Sequence, residues 1–135
     1  MKTRDAVSRL KRFEVEEKQR KVAEIEMMIG DFSQMAQDLD RHIAIEQERA
    51  GVSDTNHYAY PTFAKAAIQR RDNLLASTAD LEAKLSAARA TLAEAFEELK
   101  KIELLEERDA ERMKIEQARA AELNAVAGMP HRVAS

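Results

Sequence analysis

Between residues 15 and 43 apolar side chains return at alternating steps of three and four: Val15, Val22, Ile25, Ile29, Phe32, Ala36, Leu39 and Ile43, broken only by Lys18. A 3.5-residue period keeps one narrow apolar stripe facing a partner helix, which is the seam of a coiled coil. The rhythm resumes at Ala64 and runs through Ala67, Leu74, Thr78, Leu81, Leu85, Ala88, Leu92, Ala95, Leu99 and Ile102, with Arg71 as its one charged member. Composition closes off the main alternative. With 35% charged residues, 4% aromatics and no Trp in 135 residues, the chain has little material for a globular core.

Between the two stripes lies "AGVSDTNHYAYPTFAKA", residues 50 to 66, which holds Gly51, Pro61 and three of the six aromatics. Glycine fits just past a helix end and proline fits the first position of the next helix. Ser53, Asp54 and Asn56 supply turn chemistry between them. The pattern predicts a single all-α domain in which two long helices form an antiparallel coiled-coil hairpin with a C-terminal helical overhang. Helix 1 covers about residues 4–50, the turn 51–61, helix 2 62–127 and a tail 128–135.

In an antiparallel pair, facing seam residues have numbers of constant total. A total of 110 sets Val22 against Ala88, Ile25 against Leu85 and Ile29 against Leu81, whereas 117 sets Phe32 against Leu85 and Val15 against Ile102. Both interdigitate large with small side chains. The first centres the turn on the island; the second avoids burying Arg71 opposite Leu39. Both stand at this point.

Either register leaves the end of helix 2 without an intramolecular partner, as an arm of roughly 15 to 27 Å at 1.5 Å per residue. Its seam is thin, with Met113, Ala120 and Leu123. Such a helix is either a frayed extension or an arm completed by another protein. Gly128 and Pro130 mark its stop, and "MPHRVAS" reads as a frayed tail.

Leu10 and Phe13 fall off the first seam, and Leu104 and Leu105 off the second, at a place where the hairpin brings the four together. They predict either a stutter that rewraps the seam or an exposed docking patch. Nearby, basic Lys2, Arg4, Arg9, Lys11 and Arg12 face acidic Glu97, Glu98, Glu103, Glu106 and Glu107, which supports the antiparallel arrangement. At the turn, Tyr58, Tyr60 and Phe63 either cap the seam or form a contact surface bordered by Arg70 and Arg71. Met28 and Met35 flank the seam and are expected to broaden the core, while Gly30 is a local propensity defect of about 1 kcal/mol.

Twenty-two basic and twenty-five acidic residues are mixed along the chain for a net charge of −3, which argues against a nucleic-acid groove. Three glycines leave no Walker A, G-x-G-x-x-G or G-x-S-x-G motif, so no enzymatic activity and no catalytic residue are expected. Without Cys there are no disulfides or thiolate ligands. His42, between Asp38 and Glu46 on one helix face, reads as a solvated or ion-paired side chain, and His57 and His131 add no second-ligand pattern. No cofactor or metal is expected. The start "MKTRDAVSRLKR" lacks a signal-peptide core and no segment reaches the length of a membrane span, so the expectation is a cytoplasmic protein without stable membrane insertion.

The opening "MKTRDAVSRLKRFEVEEKQRKVAEIE", the loop "AGVSDTNHYAYPTFAKAAIQRRDNL" and the later "AEAFEELKKIELLEERD" together resemble the FliJ family of flagellar type III export proteins, in its alphaproteobacterial form. The resemblance extends over nearly the whole chain, and the loop is its most distinctive part. It implies a coiled coil similar to the central stalk of rotary ATPases, located in the cytoplasm at the flagellar export apparatus. Members of the family are thought to insert their joined ends into the export ATPase ring, promote its assembly, contact an export gate component and escort other export chaperones. The partner-binding residues named by local chemistry are Leu10, Phe13, Leu104, Leu105, Met113 and Leu123 at the open end and arm, and Tyr58, Tyr60, Phe63, Arg70 and Arg71 at the tip. The export reading expects a monomer when free; the alternative is a structural coiled-coil scaffold that homodimerises through its overhang.

Overall fold

The structure, a computed structural model, describes residues 2–128, with side chains from residue 4. Met1, His131 and the expected tail "MPHRVAS" lie outside the described residues. Two helices, α1 (Lys2–Ala50) and α2 (Thr62–Ala127), pack against each other as an all-α helical hairpin, with no strand among the described residues. The chain divides into two compact units, Val15–Glu94 and the terminal unit of Met1–Glu14 with Ala95–Ser135.

Within Val15–Glu94 the seam is the core. Val15, Val22, Ile25, Ala36 and Ile43 of α1 and Ala64, Ala67 and Leu81 of α2 are buried, while Ile29, Phe32, Leu39, Leu74, Leu85 and Ala88 are half-buried between them. Lys18 keeps its seam position, half-buried, so the rhythm continues through it. Clefts between the helices bring Met28 to Leu81, His42 to Ala67 and Leu39 to Arg70, three pairs whose numbers each total 109. This unit therefore adopts the register near 110. The objection to that register was a buried arginine, and the side chain resolves it by reaching sideways. Arg71 stays partly exposed and donates from Nη1 to Asp40 Oδ1 at 2.9 Å.

The turn follows from its residues. Gly51 takes φ = 69°, the left-handed conformation glycine adopts without a Cβ penalty. Its N–H and that of Val52 both donate to the Gln47 carbonyl, at 2.9 and 3.3 Å, closing α1 with a Schellman-type cap. Asp54 Oδ1 accepts from the Asn56 N–H at 2.9 Å, an Asx turn. The Pro61 carbonyl accepts the first helical bond of α2 from Lys65 at 3.1 Å, so proline caps the helix one residue before its first helical position.

In the terminal unit the 3-4 rhythm also persists, but its chemistry changes. Arg4, Ser8 and Lys11 occupy the α1 seam; on α2, Ala95 and Leu99 are buried, followed by half-buried Ile102, Glu106 and Asp109. Arg4 pairs with Asp109, Lys11 with Glu98 at 2.9 Å and Arg12 with Glu106 at 3.9 Å. From Ala110 to Gly128 every residue is exposed.

Candidate partner-binding surfaces

A two-stranded coiled coil buries two positions in seven, so apolar side chains placed elsewhere in the heptad stay in contact with water. The terminal unit is built this way. Within this unit Arg4, Ser8 and Lys11 hold the covered positions of α1, and Leu10 and Phe13 are left on its outer side. Leu104 is likewise left on the outer side of α2, and Leu105 beside its seam. All four are exposed, Leu10 and Phe13 on α1 and Leu104 and Leu105 on α2.

The polar seam is incompletely satisfied. Ser8 is 1% exposed and its Oγ has no hydrogen-bond partner; Glu106 Oε1 is also buried without one. Lys11 donates to Glu98 and to Glu14, at 2.9 and 3.4 Å, and these two hydrogen bonds raise its pKa above the usual lysine value. Arg4, Ser8 and Lys11 were not singled out as core residues from the sequence. Stepping back from Val15 by four, three and four reaches them, but their polarity hid the continuation.

The arm follows Asp109, the last half-buried residue of α2 among the described residues. Met113 and Leu123 continue the α2 seam rhythm into water, and Ile115 and Val126 are exposed beside them. Residues 110 to 127 would span about 27 Å as helix. This arm is an amphipathic helix with nothing covering its apolar side among the described residues.

At the tip the predicted residues separate into two groups. Tyr60 is 5% exposed and its hydroxyl accepts a hydrogen bond from Gln47 Nε2 at 2.9 Å, so it caps the seam and offers no contact surface. Arg71 is also occupied, by Asp40 and by Asp72, and these bonds raise its pKa. Tyr58, by contrast, is 96% exposed and stacks on His57 with ring centroids 4.6 Å apart, and Phe63 and Arg70 are exposed as well. Tyr58, Phe63 and Arg70 thus remain available for contact. Met28 and Met35 do not broaden a closed core as expected; both are exposed beside open clefts.

No cluster of three metal-ligating side chains occurs among the described residues, and no helix there is long and apolar enough to cross a membrane. Comparison of the chain with family models, curated proteins and solved structures found no match.

Proposed function

We propose that the chain is a non-enzymatic accessory protein of flagellar type III export, acting in the cytoplasm at the export apparatus. Its terminal unit and arm engage the export ATPase and favour the assembled ring, and its tip reaches an export gate component or an export chaperone. The reading rests on the resemblance of the sequence to the FliJ family. The observation that carries it is the arm: residues 110 to 128 are helical through Ala127 yet exposed throughout, as expected of a segment completed by a partner. Preferential binding to assembled over separate ATPase subunits would promote ring formation by mass action.

The same arm supports a second reading, a scaffold that homodimerises through Met113, Ile115, Leu123 and Val126, all of them exposed. Hydrolysis of ATP by the cognate export ATPase, titrated with the intact chain and with a version ending before residue 110, tests the first. Stimulation by the intact chain alone supports ATPase engagement through the arm; equal stimulation by both moves the contact to the rest of the hairpin. No stimulation and no binding, with a tight dimer in light scattering, leaves the scaffold.

A further inference from the structure

A paired coiled coil has two flanks, one lined by the residues just after each seam pair and one by the residues just before it. In Val15–Glu94 these flanks differ. On the first, polar contacts tie α1 to α2, Arg71 to Asp40 at 2.9 Å and Arg89 to Glu26 at 3.8 Å, and tie α1 to the turn, Gln47 to the Tyr60 hydroxyl at 2.9 Å. On the second, Lys21, Met28, Met35 and His42 follow one another at seven-residue steps along α1, opposite a row of α2 that holds Phe63, Arg70 and Lys84. Among the described residues no hydrogen bond or ion pair crosses this flank.

Two clefts open along it instead. One, of about 360 Å³, lies between Met35 and Leu39 on one helix and Phe63 and Ala67 on the other, with Arg70 at its edge. The other, of about 310 Å³, lies between Ile25 and Met28 and Leu81 and Ala88, with Lys21 and Lys84 at its edge. Ile25 and Leu39 stand two heptads apart, which is about 21 Å along the helix. Both clefts have apolar floors, and methionine adapts to whatever shape fills them.

Charge selects the occupant. Lys21, Arg70 and Lys84 have no ion pair among the described residues. Of the two carboxylates at the cleft edges, Asp38 is already engaged by Arg41 and Gln34, which leaves Glu24 against three cations there; Asp31 and Asp80 lie between the clefts, so the cation excess is at the clefts themselves. A second copy of the same face would bring the same cations against them. An apolar stripe at heptad spacing with acidic borders meets both the floor and the rim. We propose that this flank is a docking groove for an acidic amphipathic helix of a partner protein, about four turns long, which lies over Met28 and Met35 as the third helix of a bundle. The groove shares Phe63 and Arg70 with the tip, but it stands on its own geometry and does not depend on the export reading.

The test titrates the full chain into a fluorescent helical peptide of about 21 residues, the cleft separation plus a turn at each end. It carries Leu at its seam positions and Glu beside them; a matched peptide carries Lys in place of Glu. The groove predicts saturable binding of the Glu peptide at micromolar protein and about tenfold or weaker binding of the Lys peptide. Met35→Glu and Arg70→Glu, both exposed, should each weaken the Glu peptide about tenfold with helicity unchanged, while Leu75→Glu on the opposite flank should leave it bound. Absent binding, equal binding of the two peptides, or equal loss in Leu75→Glu would overturn the proposal. So would a free chain that is dimeric in light scattering and becomes monomeric on Met35→Glu, because the occupant would then be a second copy.

Discussion

Arg71 holds a seam position of α2 and sends its guanidinium out to Asp40 of α1, 2.9 Å away. An arginine can occupy an apolar seam when its stem packs inward and its head reaches water and a carboxylate. The ion pair itself is partly solvated and contributes about 0 to 1 kcal/mol. Leucine at the same site would bury more apolar area in place of a charged head. Arg71→Leu is therefore expected to raise stability by about 1 kcal/mol, and Asp40→Ala to lower it by less than about 1 kcal/mol. Thermal denaturation followed by circular dichroism checks both, and a loss of stability in Arg71→Leu would contradict the account.

At the tip, Tyr60 serves as a core residue. Tyr60→Phe removes only the hydroxyl that accepts from Gln47 and should cost about 1 kcal/mol. Tyr60→Ala empties a buried aromatic site and should cost about 3 kcal/mol or more. Gly51→Ala forces an L side chain to φ = 69° and should cost about 1 kcal/mol although nothing lies within 4 Å of the added methyl. Urea denaturation of the three variants orders them, and Tyr58→Ala, exposed in water, should be near neutral.

Ser8→Ala should stabilise the terminal unit, because it removes a buried hydroxyl that has no partner at the cost of no hydrogen bond. Helix propensity favours alanine too, by about 0.5 kcal/mol, so Ser77→Ala at an exposed site supplies the propensity effect alone. Ser8→Ala should exceed it by about 1 kcal/mol. Amide exchange in residues 4–14 and 95–109 reads the difference directly, and equal gains in the two variants would mean that water or a partner satisfies the hydroxyl.

In the free protein, amides of residues 110 to 127 should exchange within a short labelling time while those around Ile25 and Leu81 stay protected. The first are helical without tertiary cover and the second sit in the buried seam. Deleting the arm should accordingly leave the melting temperature of the hairpin nearly unchanged. Strong protection of the arm in a monomer would require a contact that the structure lacks.

Lys11 gives the terminal unit an alkaline limit. Its folded pKa is raised, first by the hydrogen bond to Glu98 and then by that to Glu14, so its contribution is complete below the ordinary lysine value of 10.5. It is lost as pH climbs through the folded value. Protection of the terminal unit should therefore not respond to Lys11 between pH 7 and 10, and should fall above about 10.5 in the wild type and not in Lys11→Met.

The hairpin was legible because its determinants are local and periodic. Val15 to Ile43 and Ala64 to Ile102 carry the seam, and Gly51 and Pro61 are the only breaks between them. The register was not, since 110 and 117 differ by one heptad and present the same repeat to each other; the sideways reach of Arg71 to Asp40 is a side-chain fact that no spacing contains. The covered positions of the terminal unit were missed for a related reason. Pattern recognition follows apolar residues, so Leu10, Phe13, Leu104 and Leu105 drew attention while the polar Ser8 and Lys11, which are covered, did not. Tyr60 and Tyr58 are two residues apart with the same side chain, and only the turn geometry sends one inward and the other into water.

The seam that is oily in Val15–Glu94 and ionic beside Asp109 makes dissolved electrolyte act on one molecule in two opposite senses. At about 1 M salt the screening length shrinks to about 3 Å, which weakens the more exposed pairs of the terminal unit such as Lys11 with Glu98. Sulfate at the same time strengthens apolar burial along the other unit. A concentrated sulfate buffer should thus tighten the chain around its turn while it loosens the ionic contacts of the terminal unit, so the nature of the salt as well as its concentration sets which unit opens first.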